Sequence, residues 1–152
     1  MTRVTYRVVV TAFLLLAGID AGAHATLYDR LGGATGVTAI ADTLIDRVSA
    51  DPVLGRSFKD SKLERIKKLL AEQLCDLSGG PCRYSGDPMK EVHTGQHISE
   101  AEFYGMVAEL RTVLKQRHVS QGAANELLRL LAPMKRDVVE AARTAPARAA
   151  AP

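Results

Sequence analysis

The sequence predicts an all-α domain. In four long segments apolar residues recur three and four apart, the helical period, and no segment shows the period-two alternation of a half-buried strand. Gly32-Gly33, Asp51-Pro52, Gly79-Gly80 and Gly86-Asp87-Pro88 punctuate these segments, and each is a combination that stops a helix. At 152 residues, with no internal repeat, the chain has room for one domain with a real core and none for two.

Residues 1–25 read as a secretory leader. Arg3 and Arg7 give a positive start, and residues 8–17 form an apolar run too short to span a bilayer comfortably. Ala21-Gly22-Ala23 and Ala23-His24-Ala25 are small-x-small cleavage sites. The expectation is a periplasmic or secreted protein with no membrane attachment after cleavage. Removing Arg3, Arg7 and Asp20 leaves 18 basic and 16 acidic residues, a charge of +2. So small an excess is no argument for a nucleic-acid partner. Aromatics at 5%, with no Trp, leave no stacking platform for single strands.

A domain is expected over residues 26–143. Residues 26–31 make a short turn of helix that stops at Gly32-Gly33. From Val37, the positions Ile40, Ala41, Leu44, Ile45 and Val48 continue one helical stripe, which ends before Asp51-Pro52 because proline disfavours helix at the residue before it. Residues 52–58 form a connector ending at Phe58. Ser61, with Glu64 three residues on, has the pattern of a capping box for the next helix. That helix carries Leu63, Ile66, Leu70, Leu74 and Leu77 and ends at Gly79-Gly80. Ser99, ahead of Glu100 and Glu102, starts a helix with Phe103, Met106, Val107, Leu110, Val113 and Leu114. After a break at residues 117–120, the last helix carries Leu127, Leu130, Leu131, Met134 and Val138, with Pro133 bending it. Residues 144–152 have no apolar period and read as a disordered tail.

The stretch 75–98 concentrates the chemistry. It holds Cys75 and Cys82, two glycine breaks, and His93 at the end of a short Met-Lys-Glu-Val-His run flanked by apolar helices. An imidazole nitrogen is a good donor to haem iron, and haem needs a dry apolar slot. In an oxidising compartment Cys75 and Cys82, seven apart across a Gly-Gly turn, can close a disulfide; in the cytosol the same pair would read as thiols or metal ligands. No Cys-x-x-Cys-His occurs, which excludes the usual c-type haem attachment. His97 follows His93 by four, a spacing that chelates zinc when both share a helical face. Gly95 lies between them and no Glu follows His93, so His97 reads as an exposed loop residue. His118 sits in a polar turn.

In order and spacing, several motifs resemble those of group I truncated haemoglobins. They are Leu27-Tyr28-Asp29-Arg30-Leu31-Gly32-Gly33, Phe58, Gly79-Gly80-Pro81, Tyr84 and Gly86, then Met89-Lys90-x-Val92-His93-x-Gly95, Ile98, Phe103 and Leu131-Ala132-Pro133. The resemblance covers residues 27–142. It implies a two-over-two helical sandwich around haem b, with His93 as the proximal iron ligand. The second nitrogen of that ring would donate to a carbonyl or water. It implies Phe58 stacked on the haem and a pocket drawn from Ile66, Leu70, Leu74, Met89, Ile98, Phe103 and Val107. Tyr84, with Lys62, Arg65 and Lys90, is a candidate for the propionate rim.

The distal side departs from the family pattern, which often places Tyr on the first long helix and Gln on the facing one. Aligned without gaps from His93, those positions are Ile45 and Leu70, with Ile66 toward the iron's open site. Gln73, one turn beyond Leu70 at the edge of the stripe, is the nearest amide. The expected function is reversible binding of oxygen, CO or NO. The missing Tyr weakens oxygen storage and nitric-oxide dioxygenation, and enzyme status, electron donor and oligomeric state stay open. Three alternatives stand: a haem-less helical protein that binds a partner, a haem protein that turns over nitric oxide or peroxide, and a metal or thiol-redox protein using His93, His97, Cys75 and Cys82.

Overall fold

In the computed structural model, which describes residues 25–139, seven α-helices are arranged around one of them. The expected tail, and the leader apart from Ala25, lie outside the described residues. In order these are α1 (Leu27–Arg30), α2 (Gly33–Ala50), α3 (Leu63–Leu77), α4 (Met89–His93), α5 (Glu100–Gln116), α6 (Gln121–Leu131) and α7 (Lys135–Val138). A 3-10 turn at Leu54–Phe58 follows α2, and another at Ala132–Met134 joins α6 to α7.

The central element is α2. Its stripe of Val37, Ile40, Ala41, Leu44, Ile45 and Val48 is at most 2% exposed, and α3 and α5 both pack on it. Leu74, Leu110, Val113, Leu114, Ala123 and Leu127 complete the same core from α3, α5 and α6. Ion pairs tie its edges: Arg47 to Glu109 at 2.6 Å joins α2 to α5, and Arg30 to Glu126 at 2.5 Å joins α1 to α6. Such exposed pairs contribute about 0–1 kcal/mol each, so apolar burial decides the arrangement. Among the described residues no helix is long and apolar enough to cross a membrane.

Three boundaries differ from the sequence expectation. α2 begins at Gly33, a turn before Val37. Gly32, at φ 95°, redirects the chain there, and a Cβ on Gly36 would fall 1.9 Å from the Leu31 carbonyl oxygen. The opening turn is made of Gly, Ala and Thr, which carry no apolar period. The Ser61 capping box does not form: α3 starts from Lys62 with no side-chain cap, and Glu64 instead pairs with Lys67 at 3.0 Å. Pro133 breaks the last helix instead of bending it, giving α6, a 3-10 turn and α7, because it lacks the N–H that would continue the ladder.

Cys75 and Cys82 are joined in a disulfide with their Cα atoms 5.7 Å apart. The turn inside it needs its glycines. Gly79 sits at φ 81°, and a Cβ on Gly80 would lie 2.6 Å from the Cys75 sulfur and 2.7 Å from the Tyr28 ring. Glu72 accepts from the Ser85 hydroxyl at 2.6 Å, and Asp76 accepts from the Tyr84 N–H at 3.1 Å. The loop after the bridge is thus pinned along α3. Replacing both cysteines by alanine should lower unfolding stability by about 2.5 kcal/mol, the chain-entropy value for so short a loop. Urea denaturation of wild type and double variant checks this, and an unchanged midpoint would count against it.

Candidate functional site

α4 has five residues, none of them buried, and its N-cap Pro88 makes no side-chain bond. The Pro88 carbonyl accepts from Glu91 N–H at 2.9 Å and Val92 N–H at 3.2 Å, and Thr94 N–H closes the helix on the Lys90 carbonyl at 3.0 Å. Within this short turn, His93 Nδ1 lies 2.8 Å from the Met89 carbonyl oxygen. A carbonyl can only accept, so Nδ1 is the donor, and in the neutral ring Nε2 then carries the in-plane lone pair. That is the state in which an imidazole ligates a metal.

Facing α4 is one stripe of α3. Gln73, 9% exposed, places its amide nitrogen 3.4 Å from the Met89 sulfur and 3.7 Å from the Met134 sulfur. Ile66 and Leu70 precede Gln73 on the same stripe and are half-buried, whereas Leu74 and Cys75 are sealed into the α2 core at 1% and 0% exposure. Phe58, also half-buried, closes the 3-10 turn ahead of α3. On the far side are Met89, Ile98 and, one helical turn apart on α5, Phe103 and Val107. Ile98 is buried yet stands outside the core cluster built around α2. Phe58, Ile66 and Leu70 pack against the edge of the α2 core, and Met89, Phe103 and Val107 are half-buried beyond it. A flat apolar ring with one nitrogen-ligated metal suits this chemistry: a single lone pair on a half-buried imidazole, among Ile, Leu, Phe, Val and Met.

Ile45 is 1% exposed inside the α2 core. The Gln73 amide, nearest to the expected distal face, is turned to the two thioethers. The Tyr84 hydroxyl donates to the Asp87 carbonyl at 3.1 Å, and burial pushes its pKa up. Lys62, Arg65 and Lys90 are exposed. His97 is exposed at φ 52°, beyond the end of α4, so it shares no helical face with His93. His118 is exposed at φ 57°. Both cysteines are taken up in the disulfide, and among the described residues no group of three or more His, Cys, Asp or Glu could hold a metal ion.

One residue had no sequence signal. Arg56, in the 3-10 turn before Phe58, forms a two-pronged pair with Glu102 of α5, one prong being Nη2 to Oε2 at 2.7 Å. It also donates to the carbonyls of His97 at 2.8 Å and Gln96 at 3.2 Å. Glu102 in turn caps α5 by accepting from the Ser99 N–H and hydroxyl at 2.9 and 2.7 Å. Arg56 thereby fastens the loop behind His93 to the turn carrying Phe58. The Ser99–Glu102 spacing was legible as a helix start; its arginine partner, 46 residues away, was not.

A model of the bacterial-like globin family matches residues 26–140. The group 1 truncated haemoglobin of Mycolicibacterium paratuberculosis is 30% identical over 124 residues, which are 82% of this chain and 91% of that one. The crystal structure of the Tetrahymena pyriformis truncated haemoglobin, Fe(III) form, matches with a TM-score of 0.72 at 27% identity, covering 76% of this chain and 99% of the other. The 2/2 haemoglobin of a Synechococcus species, a cyanomet form with covalently attached haem, matches in fold with a TM-score of 0.71 at 24% identity, over 76% of this chain and 98% of that one. The all-helical arrangement around α2 is the truncated globin fold.

The Arg56 guanidinium, with the Ser99 donors, holds the Glu102 carboxyl down at about 2, from an ordinary 4.5. A depressed carboxylate stabilises the fold fully above its unfolded value, and this contribution is lost as the pH falls through about 2. Glu102→Gln should therefore be less stable than wild type at pH 6, by about 1–2 kcal/mol for a charge-assisted bond partly open to solvent. The gap should close as the pH approaches 2. Denaturant titrations of both proteins across that range check it, and a gap independent of pH would contradict it.

Proposed function

Because this chain belongs to the bacterial-like globin family, among its group 1 truncated haemoglobins, we propose that it binds a diatomic gas reversibly at a haem b held by His93. The observation that carries the assignment is the Nδ1–H of His93 donating to the Met89 carbonyl at 2.8 Å, which leaves Nε2 as a ligand nitrogen. When bound, haem would supply an iron able to take this nitrogen as a ligand and to bind a gas. The chain's own part is to hold the imidazole, cover the ring with apolar side chains and keep water out. Ile66, Leu70, Phe58, Met89, Ile98, Phe103 and Val107 are suited to cover it. The propionate edge falls to exposed cations such as Lys62, Arg65 and Lys90. The leader pattern, together with the disulfide, supports a periplasmic or secreted site of action.

His93→Gly should abolish stable haem binding or make it depend on added imidazole. The check is the Soret band of purified protein, reduced and then exposed to CO. Equal haem occupancy in the variant would remove His93 from its role, and a colourless wild type would favour the haem-less helical alternative.

The distal stripe makes a second prediction. Ile66 and Leu70 offer no donor, and Ile45 is apolar and sealed in the core. A hydrogen bond to a charge-bearing acceptor is worth about 1.5–3 kcal/mol, and each 1.4 kcal/mol is about tenfold in an equilibrium. Dioxygen, polarised when bound, should leave the wild type quickly, while CO suffers less. Leu70→Gln, a near-isosteric change at a half-buried position, should slow oxygen release about ten- to a hundredfold. Stopped-flow dissociation measures it. If Gln73→Leu released oxygen tens of times faster than wild type, Gln73 would be the distal donor and the apolar assignment would fall.

A further inference from the structure

We propose that Gln73 is a positioning residue for His93, acting across the site through Met89. This rests on the haem assignment above, and goes beyond it. The observations form a chain. The Gln73 amide of α3 reaches the Met89 sulfur at 3.4 Å, and the carbonyl of the same Met89 holds His93 Nδ1 at 2.8 Å. One residue thus takes a side-chain contact from the wall opposite the imidazole and a main-chain bond from the imidazole itself. Met134, at 3.7 Å from the same amide nitrogen, brings in the segment leading to α7, against which α4 packs.

The short helix has few other restraints. It buries no residue and has no side-chain N-cap. Behind it, the Arg56 bonds hold the Gln96 and His97 carbonyls, which fixes its exit; at its entry the Tyr84 hydroxyl holds the Asp87 carbonyl and the Gln73 amide meets Met89. A side chain that sets the position of Met89 therefore sets the height and tilt of the ring four residues on. Gln73 contributes little to stability in this role. Its amide is nine-tenths buried, and its partners are thioethers, which accept hydrogen bonds weakly. Exchanging it for an apolar side chain of similar size removes the tether without leaving a cavity.

The test compares Gln73→Leu, Met89→Leu and the double variant with wild type. Two readouts are taken: the iron–histidine stretching band of the ferrous protein by resonance Raman, and amide hydrogen exchange at Val92 and Thr94 in the protein as purified. Those N–H groups bond to the Pro88 and Lys90 carbonyls and report the seating of α4. Both single variants should shift or broaden the band and speed exchange about two- to tenfold, the range for loss of one modest bond. The double variant should add little to either, because both changes cut one link. The thermal midpoint of Gln73→Leu should stay level or rise. Haem bound, with band and exchange unchanged in both single variants, overturns the proposal, even where stability falls. A wild type without a Soret band would refute the haem assignment instead; exchange at α4 then decides alone whether Gln73 positions His93.

Discussion

The bond from His93 Nδ1 to the Met89 carbonyl decides what the ring can do. It commits the proton to one nitrogen and the lone pair to the other, and holds the ring against its own helical turn. It also makes the ring only as well placed as α4, a helix too short to be stable alone and without a buried face. Everything near it serves to place that helix. The disulfide and the Glu72 and Asp76 bonds lay the preceding loop along α3, Gln73 meets Met89, and Arg56 grips the carbonyls that follow. The proximal segment is hung from the rest of the molecule by a few named contacts.

That arrangement works because stability is supplied elsewhere. The α2 stripe is sealed by α3, α5 and α6, and the side chains on it have no further surface to offer. The apolar side chains from Phe58 to Val107 are half-buried for the most part and keep surface outside that core. α3 serves both: Leu74 and Cys75 are sealed into the α2 core, Ile66 and Leu70 are half-buried against it, and Gln73 meets Met89. One helix thus belongs both to the core and to the site. The bridge is rooted at the fully buried Cys75, so it ties the loop before α4 to the core face of α3.

The long helices were legible because their apolar positions keep one period, and because Gly and Pro interrupt it where the chain must turn. The sequence falls short where other physics decides. The first turn of α2 rests on Gly36 clearing the Leu31 carbonyl, a steric fit that leaves no hydrophobic trace. Ser61 has the composition of a cap, yet the helix begins from Lys62 and Glu64 turns to Lys67. The resemblance singled out His93, and its expected bond from a ring nitrogen to a carbonyl or water is made to Met89. Arg56 was not, since an arginine on an irregular connector reads as a solvated charge until its partner is known. Gln73 lies at the edge of its stripe, where the period allows either solvent or interior. Only the burial of that residue separates the two.

The buried polar side chains among the described residues show why Gln73 is unusual. Ser78 gives its hydroxyl to the Leu74 carbonyl at 2.6 Å, and Glu102 is met by Arg56 and by both donors of Ser99. Each of these returns a strong bond for the water it loses. Gln73 exchanges water for two sulfur atoms, the weakest acceptors among the side chains. A core selected for stability alone would place Leu at that point of the stripe, beside Leu70. What the amide adds over leucine is direction, since it attracts the Met89 sulfur from one side where an alkyl chain would only fill space. Direction matters little in the α2 core, where many contacts share each position. It matters at α4, where the backbone carbonyl of Met89 also fixes the imidazole.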